Sequence, residues 1–168
     1  MRELTFRGND GCLLHAAIIE RSGTGAAGGQ APPLVLLHGG GPDHHSLVPL
    51  AREIGGGYTI LLPDVRGYGR SVCADPARHT WAQYTDDVVA LLDELGFRRA
   101  IVGGAGLGAT ITLRVAVAHP DRVAAAILIS VEDIEDDRAK EAEVVWMDAF
   151  AERVRTAGIQ AAWDPSRI

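Results

Sequence analysis

The chain has 168 residues, is 47% hydrophobic and 23% charged, and carries a formal net charge of −6. That length suits a single domain with a core of its own. The acidic balance, with no basic stretch, argues against nucleic acid or an anionic membrane as a partner. No apolar run approaches the ~20 residues of a membrane span. The start, Met1-Arg2-Glu3-Leu4-Thr5-Phe6, lacks the apolar segment of a secretory signal. Cys12 and Cys73 stand far apart with no C-x-x-C spacing, so neither a disulfide nor a zinc site is expected. Both read as small apolar or loop residues, and a reducing cytoplasm is the expected location.

Leu4-Thr5-Phe6 and Leu13 to Ile19 are β-rich runs separated by Gly8-Asn9-Asp10-Gly11, which predicts a hairpin. Ser22 to Pro33 is rich in Gly, Ala and Pro and reads as a surface loop. Leu34 to Leu37 is a continuous apolar run, as strands buried on both faces require. Thr59 to Leu62, Ala100 to Val102 and Ala124 to Ile129 are three more. Between them lie helical signals. Ser46 is placed to cap a short helix through Ile54, with Pro49 in its first turn. Thr80-Trp81-Ala82-Gln83 matches a capping box. Tyr84, Val88, Leu91, Leu92 and Leu95 then keep helical spacing, and Gly96 is the expected stop.

After Val102 comes a glycine-rich loop, Gly103 to Ala109, then a helical run from Thr110 that ends before Pro120. Beyond Ser130 the character changes. Glu132, Asp133, Glu135, Asp136 and Asp137 form an acidic cluster, and a long helical stretch runs to Ala157 with Gly158 as its stop. The acids suit the start of that helix, and Arg153 and Arg155 its end. Val144, Met147, Ala151 and Val154 share one face, as in an amphipathic helix docked on a core. Strands alternating with helices at these spacings predict an α/β fold with a doubly wound, mostly parallel sheet and right-handed crossovers.

Four motifs bear on chemistry. His38-Gly39-Gly40-Gly41-Pro42 follows a buried strand, and its glycines free backbone N–H groups to face an anion. Asp64-Val65-Arg66-Gly67-Tyr68-Gly69-Arg70-Ser71 follows the next strand. Gly104-Ala105-Gly106-Leu107-Gly108 joins strand to helix, and Ala118-His119-Pro120-Asp121-Arg122-Val123 closes that helix. In order and spacing these resemble the α/β-hydrolase family over roughly residues 30 to 131. The subgroup of esterases, proline iminopeptidases and related small-substrate hydrolases is the nearest in appearance. The resemblance implies a core over residues 1–131 and the start of a helical cap over 132–168, with the last strands of the family's sheet lacking.

By that resemblance the chain is a hydrolase of ester or amide bonds in small substrates. Its nucleophile would stand at the centre of G-x-S-x-G, but Gly106 is there and has no side chain. The spacing back from Pro120 selects Gly106 over Ala105. The N–H groups of Gly40 and Leu107 would form the oxyanion hole. His15, His38, His44, His45 and His79 precede the turn, and His119 lies in a motif that is structural in the family. The family's usual acid and histidine follow later strands, so the expectation is a chain inactive as written. Glu132 or Asp133 is the candidate for an acid placed after the sixth strand. Ser71 belongs to a structural loop. His44 and His45 lack a carboxylate at ligand spacing, so no metal is expected, and no cofactor is implied.

The runner-up readings are a non-catalytic binding protein and a dinucleotide-binding domain. Gly104-Ala105-Gly106-Leu107-Gly108-Ala109 also fits G-x-G-x-x-A, with Glu132 as the ribose-binding acid. Against this, Glu132 lies 28 residues after Gly104, where about 20 is the norm. The expected partner is a small-molecule substrate or ligand. In the family's strand order two further strands would lie beside Ala124 to Ile129, so the resemblance implies an exposed sheet edge and a homodimer or self-association through it.

Overall fold

The computed structural model describes residues 1–21, 31–132 and 137–162. The chain divides into two compact units, Met1–Asp133 and Ile134–Ile168. The first holds a six-stranded sheet of β1 (Arg2–Arg7), β2 (Leu13–Ile19), β3 (Leu34–Leu37), β4 (Ile60–Pro63), β5 (Ala100–Gly106) and β6 (Val123–Val131), in the order β1-β2-β4-β3-β5-β6. β1, β2 and β4 pair antiparallel, while β4, β3, β5 and β6 run parallel. The Gly8–Cys12 turn closes the expected hairpin through Gly8 N–H to Cys12 O at 2.9 Å.

The central strands show why unbroken apolar runs were needed. Val35, Leu37, Leu61 and Val102 point to one face, where they pack with Val88, Leu91 and Leu92 of α2 (Trp81–Glu94) and Ile111 and Val115 of α3 (Leu107–Ala118). Leu34, Leu36, Ile60 and Leu62 point to the other, against Val48 and Ala51 of α1 (Val48–Ile54). Each strand alternates, but both faces are covered, so every position is apolar.

Local signals mostly behave as the side chains dictate. Thr80 caps α2, its hydroxyl accepting from Gln83 N–H at 3.2 Å. The Gln83 side chain does not close the box; it reaches Asn9 instead, at 3.4 Å. Gly96 ends the helix with φ +70. Its N–H bonds Asp93 O and that of Phe97 bonds Leu92 O, a complete Schellman pair. Ser46 is not a cap. A 3-10 turn, His44–Leu47, precedes α1, and Asp43 caps it by accepting from His45 N–H at 2.8 Å. The Ser46 hydroxyl donates to Asp43 O at 3.0 Å. A carboxylate at the residue before the turn wins over a hydroxyl inside it.

The glycine stretch is also not the expected loop. β5 runs through Gly103, Gly104 and Ala105 to Gly106, paired with Leu36 and Leu37 on one side and Ile127 to Val131 on the other. Ladders on both sides offset the ~0.5–1 kcal/mol that a strand glycine costs. α4 (Asp137–Ala162) forms in the second unit, and Gly158, at φ 81 and ψ 163, interrupts it where a stop was expected. Residues 22–30 of the Gly/Ala/Pro segment and 133–136 of the acidic cluster lie outside the described residues. No helix among the described residues is long and apolar enough to cross a membrane.

Two buried polar clusters hold the loops. Arg66, with a side chain 0% exposed, makes paired hydrogen bonds to Asp87 at 2.6 and 2.8 Å and to Asp10 at 2.7 and 3.1 Å. Burial pushes the Asp87 carboxyl up despite Arg66, whereas the Arg66 hydrogen bond holds Asp10 down at about 2. Cys73 sits 3.5 Å from Arg66 Nη1. The two cysteines, distant in sequence, meet here: burial and the Cys73 thiol push Cys12 up to about 11.

Two expected outcomes follow from this architecture. Because the folded Asp10 carboxyl titrates below its ordinary value, its contribution to stability is complete above about pH 4 and is lost as the pH falls through about 2. Urea midpoints measured against pH should therefore fall less steeply between those values in Asp10→Asn than in the parent chain. The second outcome concerns β6. Among the described residues no strand pairs with its outer edge, it bears no charge or proline, and Ile127, Leu128 and Ile129 are 43%, 42% and 49% exposed. Such an edge is a template for a further strand, and we propose that it pairs between copies of this chain: light scattering at micromolar concentration should report a dimer that Leu128→Lys returns to monomer.

Candidate active site

β5 passes into α3 with no intervening loop, and Gly106 is the residue at the junction, at φ 56 and ψ −125. L-residues with side chains reach that region only under strain. The flanking glycines are required by contact. A Cβ on Gly104 would run into the backbone of Gly108, and one on Gly108 into the backbone of Leu37 and His38. The G-x-G-x-G spacing is thus a packing requirement at its ends and a backbone requirement at its centre.

The His38–Gly41 turn lies against this junction: the Cβ point of Gly39 is 3.0 Å from Ala105 O. His38 fixes the turn. Val65 N–H donates to His38 Nε2 at 3.0 Å, so Nδ1 carries the proton and donates to Gly39 O at 2.7 Å. Burial pushes the imidazole below its ordinary pKa, which keeps it neutral. Space around the Gly40 Cβ point is open to beyond 4 Å. Leu107 is the first residue of α3, and Gly106, its N-cap, offers no side-chain hydrogen bond.

The remaining histidines are engaged elsewhere. His44 Nδ1 lies 2.6 Å from Asp64 Oδ1, and His15 Nδ1 lies 3.2 Å from Asp64 Oδ2. His79 bonds Cys73 O at 2.7 Å, and His119 bonds Asp86 at 3.2 Å. Ser71 is buried, and its hydroxyl accepts from His15 N–H at 2.9 Å. The expectation that no carboxylate accompanies His44 and His45 is corrected. Folding brings Asp64 to His44 and His15, and Asp43 to His45, with donor atoms in each group within 4.8 Å of one another. Asp64 is already spent on the fold. Burial pushes its carboxyl up, and the amides of Arg70 and His44 at 2.9 and 3.0 Å more than reverse that.

Glu132 is the residue that the structure adds to the junction. Its carboxylate occupies the space that a side chain at position 106 would take, with Oε1 2.9 Å and Oε2 3.2 Å from the Gly106 Cβ point. Thr110, in the first turn of α3, clasps its backbone: the hydroxyl accepts from Glu132 N–H at 3.1 Å and donates to Glu132 O. The sequence marked Glu132 as a possible acid but held no sign that its carboxylate would stand over Gly106. Asp133 lies outside the described residues. Gly106→Ser must place a Cβ both at positive φ and against Glu132, so it should lower stability by about 1 kcal/mol or more, read from urea midpoints.

The comparisons with known proteins agree with this fold. The family profile described as alpha/beta hydrolase fold matches residues 32–162. The chain is 34% identical over 108 residues to the "Putative carbamate hydrolase RutD" of Caulobacter vibrioides, covering 56% of this chain and 40% of that protein. It is 36% identical over 111 residues to epoxide hydrolase A of Mycobacterium tuberculosis, covering 62% and 34%. Among solved structures, an esterase of Thermogutta terrifontis superimposes with a TM-score of 0.69 at 24% identity, over 94% of this chain and 55% of that one. Epoxide hydrolase A of Mycobacterium thermoresistibile gives 0.65 at 30% identity, over 86% and 44%. The chain thus spans well under two thirds of the length of these relatives. With its sheet order, its strand-to-helix junction and a profile match over most of its length, the chain belongs to the α/β hydrolase fold family.

Proposed function

We propose that this chain binds a small molecule over the Gly106 junction and performs no acyl transfer of its own. The observation that carries this reading is Gly106 itself, a residue without a side chain at the point where β5 turns into α3. Relatives bear the names of a carbamate hydrolase, an epoxide hydrolase and a fluoroacetate dehalogenase, which supports a small substrate or ligand. Gly40 and Leu107 would supply backbone N–H groups to an oxyanion or a carbonyl there, as the C-terminal edge of an open α/β sheet suits. A hydroxyl nucleophile also needs a base within hydrogen-bond reach; His15 and His44 bond Asp64 through Nδ1, His38 bonds Gly39 O, His79 bonds Cys73 O and His119 bonds Asp86, and Gly106 offers no hydroxyl for any of them to activate.

A dinucleotide reading has less support. Its phosphate cradle needs a glycine loop between strand and helix, whereas β5 extends through Gly106 and α3 begins at Leu107. A cytoplasmic location fits two free cysteines. The expected outcome is that 4-nitrophenyl acetate is cleaved no faster than by an unrelated protein of equal lysine and histidine content, in the parent chain and in Gly106→Ser alike. Saturable turnover by the parent chain would overturn the reading.

A further inference from the structure

We propose that Cys12 and Cys73 form a hydroperoxide-responsive thiol pair: Cys73 takes an oxygen atom from the peroxide, and Cys12 converts the product into a disulfide within the chain. Both cysteines are free. They are distant in sequence, and the fold brings them together beside Arg66. Cys12 stands immediately before β2 and is 8% exposed; its Sγ lies 4.0 Å from the carbonyl oxygen of Val72, the residue before Cys73. The two thiols are within hydrogen-bond reach of each other. Cys73 is half-buried between the exposed residues Val72 and Ala74, so a small peroxide in solution meets it first. Neither backbone is free to drift. Cys12 N–H donates to Asp10 Oδ1 at 3.0 Å, and Cys12 O accepts from Gly8 N–H at 2.9 Å. Cys73 O accepts from the His79 ring at 2.7 Å. Arg66 Nη1 donates to Cys73 Sγ at 3.5 Å, and Asp10 and Asp87 anchor that guanidinium. A cation beside a partly exposed sulfur is the setting in which cysteines react. Cysteines that only fill space need neither the guanidinium nor the opening to solvent.

The two thiols take separate roles. Burial and the Cys73 thiol push Cys12 up to about 11, so Cys12 keeps its proton at neutral pH and is not the first to react. The Cys73 sulfur attacks one peroxide oxygen. An S–O bond forms, the O–O bond breaks, and its electron pair leaves on the other oxygen. The Cys73 thiol proton ends on that oxygen, giving an alcohol or, from hydrogen peroxide, water. Cys73 has lost two electrons and is a sulfenic acid. The Cys12 sulfur then attacks the Cys73 sulfur. The S–S bond forms, the S–O bond breaks, and the hydroxide leaves as water with the Cys12 proton. Two thiols and one hydroperoxide become one disulfide, one alcohol and one water. A dithiol reverses the bond by exchange, which makes it transient in a reducing compartment. The bond joins the β1–β2 turn to the segment after β4, at the corner that Arg66 already ties to α2.

The test treats the whole reduced chain with hydrogen peroxide, then denatures it and alkylates the remaining thiols with iodoacetamide. Intact mass and a non-reducing peptide map are read. The expected result is the loss of two hydrogens, no alkylated cysteine, a cross-linked Cys12–Cys73 peptide and full reversal by dithiothreitol. The bond should form on the order of tenfold faster in the folded chain than in urea, as positioning allows, and at a rate independent of chain concentration. Cys12→Ser should leave Cys73 as a sulfenic acid that dimedone labels. Cys73→Ser should leave Cys12 unmodified at the same peroxide dose. Two alkylated thiols after peroxide, a bond between chains, equal rates in the folded and unfolded chain, or dimedone labelling of Cys12 in Cys73→Ser would overturn the proposal.

Discussion

Backbone contact between β5, α3 and the end of β3 is the constraint on which the rest depends. Gly104, Gly108 and Leu37 meet with no room for a Cβ at either glycine. This lets α3 start immediately after the strand, and the shortness of that turn forces Gly106 to positive φ. A junction this tight favours a residue without a Cβ at its centre.

The edge of the sheet around the junction is held by buried charge. Asp64 collects the amides of His44 and Arg70 and the rings of His44 and His15, tying four segments at the end of β4. Arg66 ties the β1–β2 hairpin to α2 through Asp10 and Asp87. Buried groups of this kind are costly unless every partner is present. Their value here is in fixing the loops after β3 and β4; Val65, beside Asp64, donates its N–H to His38 of the turn next to Gly106. Two of the six histidines, His15 and His44, are held in that work through Nδ1, His44 with its Nε2 free of a hydrogen-bond partner.

Glu132 changes the character of the site. A serine at the junction would be neutral and dependent on a neighbouring base. A carboxyl group in that space brings acceptor oxygens where a serine would bring a hydroxyl. Its placement costs a strained Ser130 and a disturbed register, and strain of this kind is tolerated where the surroundings over-determine it, here through Thr110. The same strand, β6, ends the sheet among the described residues.

The hairpin, the buried strands, the Thr80 cap, the Gly96 stop and the frame that singles out Gly106 were legible in the sequence, because each rests on local chemistry: turn residues, apolar runs, a capping hydroxyl, a fixed motif spacing. Family membership was legible for the same reason, as four motifs in register. What depended on distance in space was not. The choice of Asp43 over Ser46 as a cap, the pairing of glycines 103 to 106 as strand, the meeting of Cys12 with Cys73, and the gathering of His15 and His44 on Asp64 all come from segments brought together by the sheet. The position of Glu132 over Gly106 belongs to this second group. No spacing encodes it, since it arises from a bend at the end of β6 and a clasp from α3, and only packing decides where those two elements meet.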